Sequence, residues 1–98
     1  MTKHFLRILD LDREAAHGLL ARAVAMKRTR FRGDCMAGKA AIMLFEKAST
    51  RTRVSFEMAV RDLAGSTIFM TTRESQLGRS EPLSDTARVL SRYVDCMI

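Results

Sequence analysis

Ser49, Thr50, Arg51, Thr52 and Arg53 follow closely on the apolar run Ala40-Ala41-Ile42-Met43-Leu44-Phe45. A surface turn needs Gly, Asn or Asp. This stretch instead concentrates hydroxyls and guanidinium groups. Hydroxyls donate single hydrogen bonds, and a guanidinium presents a planar fork that matches two oxygens of a phosphate or carboxylate. If a helix begins here, its unpaired N–H groups and positive dipole end add to the same preference. The residues therefore point to an anion held at a helix start. The segment contains no glycine and no G-x-x-x-x-G-K, so it is neither a P-loop nor a dinucleotide fingerprint. The competing reading is an ordinary Ser49 N-cap followed by surface arginines.

The elements that would position these residues alternate along the chain. Residues 12–31 read as a helix, with Asp12 as N-cap and Leu19, Leu20, Ala23, Val24 and Met26 recurring at helical spacing. Residues 39–45 read as a strand buried on both faces, since the apolar run from Ala40 to Phe45 is unbroken. Residues 50–64 form a second helix, with Phe56, Val60 and Leu63 toward the core and Gly65 at C′. Residues 66–71 read as a second strand and 72–83 as a polar loop with Gly78 and Pro82. Residues 84–94 are a third helix that turns Ala87, Leu90 and Val94 inward, and Asp95-Cys96-Met97-Ile98 starts a third strand.

Strands separated by helices predict an α/β fold: a parallel sheet with flanking helices, in the order α-β-α-β-α-β. Ligands of such sheets lie beyond the carboxyl ends of the strands. The Ser49–Arg53 segment and the loop Glu74-Ser75-Gln76-Leu77-Gly78-Arg79-Ser80-Glu81-Pro82 both follow strands, so both are expected at that edge. A sheet that stops inside an apolar strand is read as part of a longer domain, with apolar faces left uncovered and marginal stability alone.

Composition narrows the function classes. The chain has 98 residues, 47% hydrophobic and 29% charged, as in an ordinary globular domain. No apolar run reaches the ~20 residues of a membrane span, and Met1-Thr2-Lys3-His4-Phe5 lacks a signal-peptide core, so a cytoplasmic protein without a membrane partner is expected. Cys35 and Cys96 are too far apart for a metal or disulfide framework. Both are read as reduced, with Cys96 buried. His4 and His17 lack partners at metal-ligand spacing, so no metal is expected. The net charge of +6 favours anionic partners. The run Lys27-Arg28-Thr29-Arg30-Phe31-Arg32 allows a nucleic-acid patch, but reads better as a cationic helix C-terminus stopped by Gly33. Aromatic residues are only 6%, with no RNA-stacking signature, so nucleic acid is not the expected partner.

The stretch Phe45-Glu46-Lys47-Ala48-Ser49-Thr50-Arg51-Thr52-Arg53-Val54-Ser55-Phe56-Glu57 closely resembles the carbamoyl-phosphate motif of the aspartate/ornithine carbamoyltransferase family. The segment 75–95 and the opening segment from His4 to Ala23 resemble the same family, most closely its ornithine members. The resemblance implies an incomplete carbamoyl-phosphate-binding domain spanning 1–98. Ser49, Thr50, Arg51, Thr52 and Arg53 would then bind the phosphate of carbamoyl phosphate, with Arg51 also stabilising charge as phosphate leaves. Gln76 would reach carbamoyl phosphate in a neighbouring subunit's site, which makes a homotrimer the expected assembly. Glu46 and Glu57 are read as partners of nearby arginines, and Asp85, Thr86 and Arg88 as scaffolding.

Lys47-Ala48 before Ser49, and Gln76-Leu77-Gly78-Arg79-Ser80-Glu81-Pro82 later, favour ornithine as acceptor over aspartate; putrescine and acylated ornithine remain alternatives. The implied reaction needs no cofactor. The residues that recognise ornithine belong, by the same resemblance, to an amino-acid-binding domain outside these 98 residues, so this chain alone is expected to be inactive. Two other classes stay open: a non-catalytic phosphate-binding remnant and a basic nucleic-acid-binding protein.

Overall fold

The apolar run became the centre of the sheet. Ala40–Phe45 forms strand β1, Ser66–Thr71 forms β2 and Cys96–Met97 forms β3, in the spatial order β2-β1-β3. Both pairings are parallel, with Ile42 opposite Ile68 on one side and Met97 on the other. The computed structural model describes residues 3–47, 49–71 and 83–98. Helices α1 (Arg13–Thr29), α2 (Thr50–Asp62) and α3 (Leu83–Leu90) complete the alternation, so the chain has the α/β parallel architecture that its sequence predicts.

Ala41, Ile42 and Met43 are all buried, as a strand covered on both faces requires. Val60 of α2 joins them, and these are the buried apolar residues among those described. Asp95 fixes the start of β3: its N–H donates to the Ala40 carbonyl at 2.9 Å, and its carboxylate accepts from the Ala40 N–H at 3.0 Å. The ladder continues through Ile98, whose N–H donates to the Ile42 carbonyl at 2.8 Å. Cys96 is exposed rather than buried, in a two-residue strand that pairs, among the described residues, with β1 alone. Neither cysteine forms a disulfide.

The chain divides into two units, Met1–Phe31 and Arg32–Ile98. In the first, a short 3-10 turn at Ile8–Asp10 precedes α1. The Leu6 N–H, and less strongly that of Arg7, donates to Asp10 and holds its carboxyl below the usual range. Asp12 caps α1 as expected, accepting from the Ala15 N–H at 2.7 Å. Within this unit nothing covers the apolar stripe of α1, and Leu19, Leu20 and Val24 are each more than half exposed. This unit holds one helix and one short turn, so it has no second layer of its own.

Both long helices end differently from the sequence reading. In α1 the left-handed residue is Arg30 (φ 49°), and the Phe31 N–H returns to the Met26 carbonyl at 2.9 Å. Gly33 is not the stop; its N–H donates to the Asp62 carbonyl at 2.9 Å. In α2 the C′ residue is Ala64 (φ 68°), with the Ala64 N–H on the Arg61 carbonyl and the Gly65 N–H on the Val60 carbonyl, each at 2.9 Å. This is a Schellman closure one residue earlier than Gly65 implied. Gly65 answers a different demand. A Cβ there would lie 2.8 Å from Val60 Cγ1 and 3.1 Å from Met36 Cβ, so close packing excludes a side chain.

An alanine held at positive φ carries about 1 kcal/mol of strain that glycine lacks. Ala64→Gly is therefore expected to raise stability by about 0.5–1 kcal/mol, read as a higher urea midpoint at constant slope. A lower midpoint would show that the strain is negligible beside the chain entropy that glycine adds.

Helix α3 ends at Leu90, earlier than 94, since Arg92 and Tyr93 bond back to Val89 and Leu90 in a tighter turn. Ala87, Leu90 and Val94 are half-buried, as their spacing implied, whereas Phe56 of α2 stays 39% exposed instead of entering the core. No described helix is long and apolar enough to cross a membrane.

Candidate anion site at the start of α2

Phe45 and Thr71 are register partners at the carboxyl ends of parallel neighbours β1 and β2. Whatever follows either strand therefore leaves from the same edge of the sheet. After β1 the chain turns through Glu46 and Lys47 and enters α2 at Thr50, with Ser49 as N-cap in extended conformation (φ −139°, ψ 115°). The Arg53 N–H donates to the Ser49 carbonyl at 3.3 Å and closes the first turn. The N–H groups of Thr50, Arg51 and Thr52 come before that bond, so the helix offers them no acceptor.

Two details separate this end from an ordinary cap. The Ser49 side chain makes no capping hydrogen bond, and the first turn holds no acidic residue. Nothing in the helix's own first turn neutralises its positive dipole end. A cavity of about 570 Å³ opens here, lined among the described residues by Ser49, Thr50, Arg51 and Thr52. The residues that line it carry backbone donors, hydroxyls and one guanidinium. That is the donor set for a tetrahedral oxyanion.

The structure brings together four of the residues singled out from sequence and sends Arg53 elsewhere. Its guanidinium carbon lies 3.8 Å from the centroid of the Phe69 ring, and its Nε is 3.4 Å from Glu57 Oε1. Glu57 thus has the pairing role read for it. Glu46 is exposed in the turn that leads into the site. Gln76 lies outside the described residues. In α3, Asp85 and Arg88 pair loosely with each other at 3.9 Å, and the Thr86 hydroxyl is enclosed without a partner among the described residues. The basic run near residue 30 is partly spent locally: Lys27 and Arg28 occupy the last turn of α1, and Arg32 pairs with Asp62 at 3.9 Å. Among the described residues, no cluster of His, Cys, Asp or Glu could hold a metal ion. Phe69 was missed by sequence reasoning, because no local pattern links a strand aromatic to a helix arginine.

A parallel α/β sheet with a donor-lined space beyond the first strand's carboxyl end defines the class: an α/β ligand-binding domain with its site at the strand ends. Residues 3–98 match the family described as aspartate/ornithine carbamoyltransferase, carbamoyl-P binding domain, and the chain belongs to that family. An ornithine carbamoyltransferase from Oleidesulfovibrio alaskensis is 68% identical over 98 residues, covering 100% of this chain and 33% of the relative. The crystal structure of anabolic ornithine carbamoyltransferase from Campylobacter jejuni superposes with a TM-score of 0.86 at 38% identity, over 98% of this chain and 31% of that one. The catalytic subunit of M. jannaschii aspartate transcarbamoylase gives a TM-score of 0.81 at 35% identity, over 98% of this chain and 33% of its own. The chain thus spans about a third of the length of the relatives it matches.

Proposed function

We propose that these 98 residues are the carbamoyl-phosphate-binding part of an ornithine carbamoyltransferase. The observation that carries this reading is the start of α2, where the cavity lined by Ser49, Thr50, Arg51 and Thr52 meets uncapped backbone donors. The phosphate oxygens of carbamoyl phosphate would accept from these N–H groups, from the hydroxyls and from the Arg51 guanidinium. In the reaction, the neutral δ-amine of ornithine attacks the carbamoyl carbon. A tetrahedral intermediate forms, the C–O bond to phosphate breaks, and L-citrulline and phosphate result after the amine loses its proton. Arg51 and the helix dipole would stabilise the charge that grows on the departing phosphate. Positioning and exclusion of water would supply the rest.

Ornithine is preferred to aspartate as the acceptor because the 68% identity to an ornithine enzyme runs through the whole chain. The folds alone do not discriminate, since ornithine and aspartate enzymes superpose comparably. Gln76 is assigned to carbamoyl phosphate in a neighbouring subunit, within a cytoplasmic homotrimer. Recognition of ornithine is assigned to an amino-acid-binding domain that these 98 residues do not include.

Isothermal calorimetry on residues 1–98 tests the reading. Carbamoyl phosphate should bind and inorganic phosphate should compete, while ornithine neither binds nor is converted to citrulline. Absence of carbamoyl-phosphate binding would overturn the assignment of the site. Citrulline formation would overturn the division of labour between domains.

A further inference from the structure

Arg53 and Phe69 form a cluster that the anion cradle does not include. The Arg53 guanidinium carbon sits 3.8 Å from the Phe69 ring centroid, within the range of a cation–π contact. Phe69 in turn meets Phe45 edge-to-face, with centroids 5.4 Å apart and planes at 85°. That is a favoured aromatic geometry. Glu57, one turn further along α2, holds the Arg53 Nε at 3.4 Å. One ring therefore touches both Phe45, the last residue of β1, and Arg53, in the first turn of α2. The cradle residues Ser49 to Thr52 are the span between those two anchors.

The family resemblance places Arg53 with the phosphate ligands. The geometry points to a different role: we propose that Arg53 and Phe69 are positioning residues, and that their contact sets where the Thr50, Arg51 and Thr52 donors stand. This rests on the reading of the α2 start as the phosphate site. The guanidinium is engaged by the ring on one side and by Glu57 at its Nε, and it is absent from the described lining of the cavity. Its backbone N–H, donating to the Ser49 carbonyl, closes the turn that carries the donors. Removing the side chain would take away the ring contact that ties that turn to β2. Oxyanion donors act through fixed placement, so loosened donors bind more weakly even when none is deleted.

The test is a double-mutant cycle read on carbamoyl-phosphate affinity. Arg53→Met keeps the stem and loses the cation; Phe69→Leu keeps the volume and loses the ring. Each is expected to raise Kd by about 5–10-fold, and the double variant by no more than about 10-fold, since both changes break one contact. Arg53→Lys should retain part of the affinity. If Arg53 were a phosphate ligand, Arg53→Met would cost far more than Phe69→Leu, and the two losses would multiply. That result overturns the proposal, as does wild-type affinity in both single variants.

Amide chemical shifts supply a second measurement without ligand, usable should Phe69→Leu fail to fold. Arg53→Met should move the Thr50, Arg51 and Thr52 resonances, and unmoved resonances overturn the proposal. A wild-type chain that binds no carbamoyl phosphate would instead sink the site assignment, and the amide shifts would still judge the clamp.

Discussion

Arg51→Ala is expected to weaken carbamoyl-phosphate binding about 100-fold, the largest effect of any single substitution at the site. A hydrogen bond to a charged group contributes about 1.5–3 kcal/mol, and a guanidinium fork can offer two to one phosphate. A loss of about 2.7 kcal/mol corresponds to that factor. Arg51 is exposed, and among the described residues no ion pair involves it. Its charge is thus not committed to the fold. Alanine is also a strong helix former, so the substitution should leave stability within about 0.5 kcal/mol.

Calorimetry and a urea melt on the same variant separate the two effects. Arg51→Lys keeps the charge and loses the fork, so an intermediate loss of about 10-fold is expected. Equal losses for Ala and Lys would make the fork geometry the whole of the contribution. Wild-type affinity in Arg51→Ala would mean that the phosphate does not sit at the start of α2.

The parts of this molecule that were legible in the sequence are those set by short-range patterns. An unbroken apolar run from Ala40 to Phe45 had few alternatives to a buried central strand, and the second strand lies at residues 66–71 as expected. The Asp12 cap was legible because it needs only a carboxylate and an N–H three residues on. Helix ends were less legible. Glycine is the residue that costs least at positive φ, so Gly33 and Gly65 attracted the stop signals. The chain instead placed Arg30 and Ala64 there, and Gly65 serves a close approach that only the folded structure reveals.

Burial was the hardest property to read. The stripe of α1 has the right period for a core face, yet period says only which residues share a face, not what covers them. Cys96 looked buried because its neighbours are apolar, but its side chain is exposed. At the site, the ligand chemistry of Ser49 to Thr52 follows from residue types, whereas the direction of the Arg53 side chain does not. Its partner Phe69 comes from another element, and nothing in the spacing of the motif announces it.

Ile42→Ala is the second substitution with a large expected effect, this time on stability. Ile42 is 1% exposed in the central strand, between Ile68 and Met97. Truncating a buried isoleucine removes its transfer free energy and leaves a cavity, at a cost of about 2–5 kcal/mol. At about 0.05–0.15 kcal/mol per residue, a domain of this size has only about 5–15 kcal/mol in total. The described buried set is small, so little neighbouring apolar material can move in to fill the gap.

Leu19→Ala is the matched control: leucine also loses its branched side chain, but from a position that is 55% exposed on α1. Its cost should stay within about 0.5 kcal/mol, since exposed substitutions away from special features are nearly neutral. Urea midpoints of the two variants in the 98-residue chain make the comparison. A large shift for Ile42 with none for Leu19 places the stability of this chain in the sheet. A Leu19 shift as large as that of Ile42 would mean that the α1 stripe is covered in solution. A midpoint that rises with protein concentration in the parent chain, and no longer does so in Leu19→Ala, would identify a second copy of the chain as the cover.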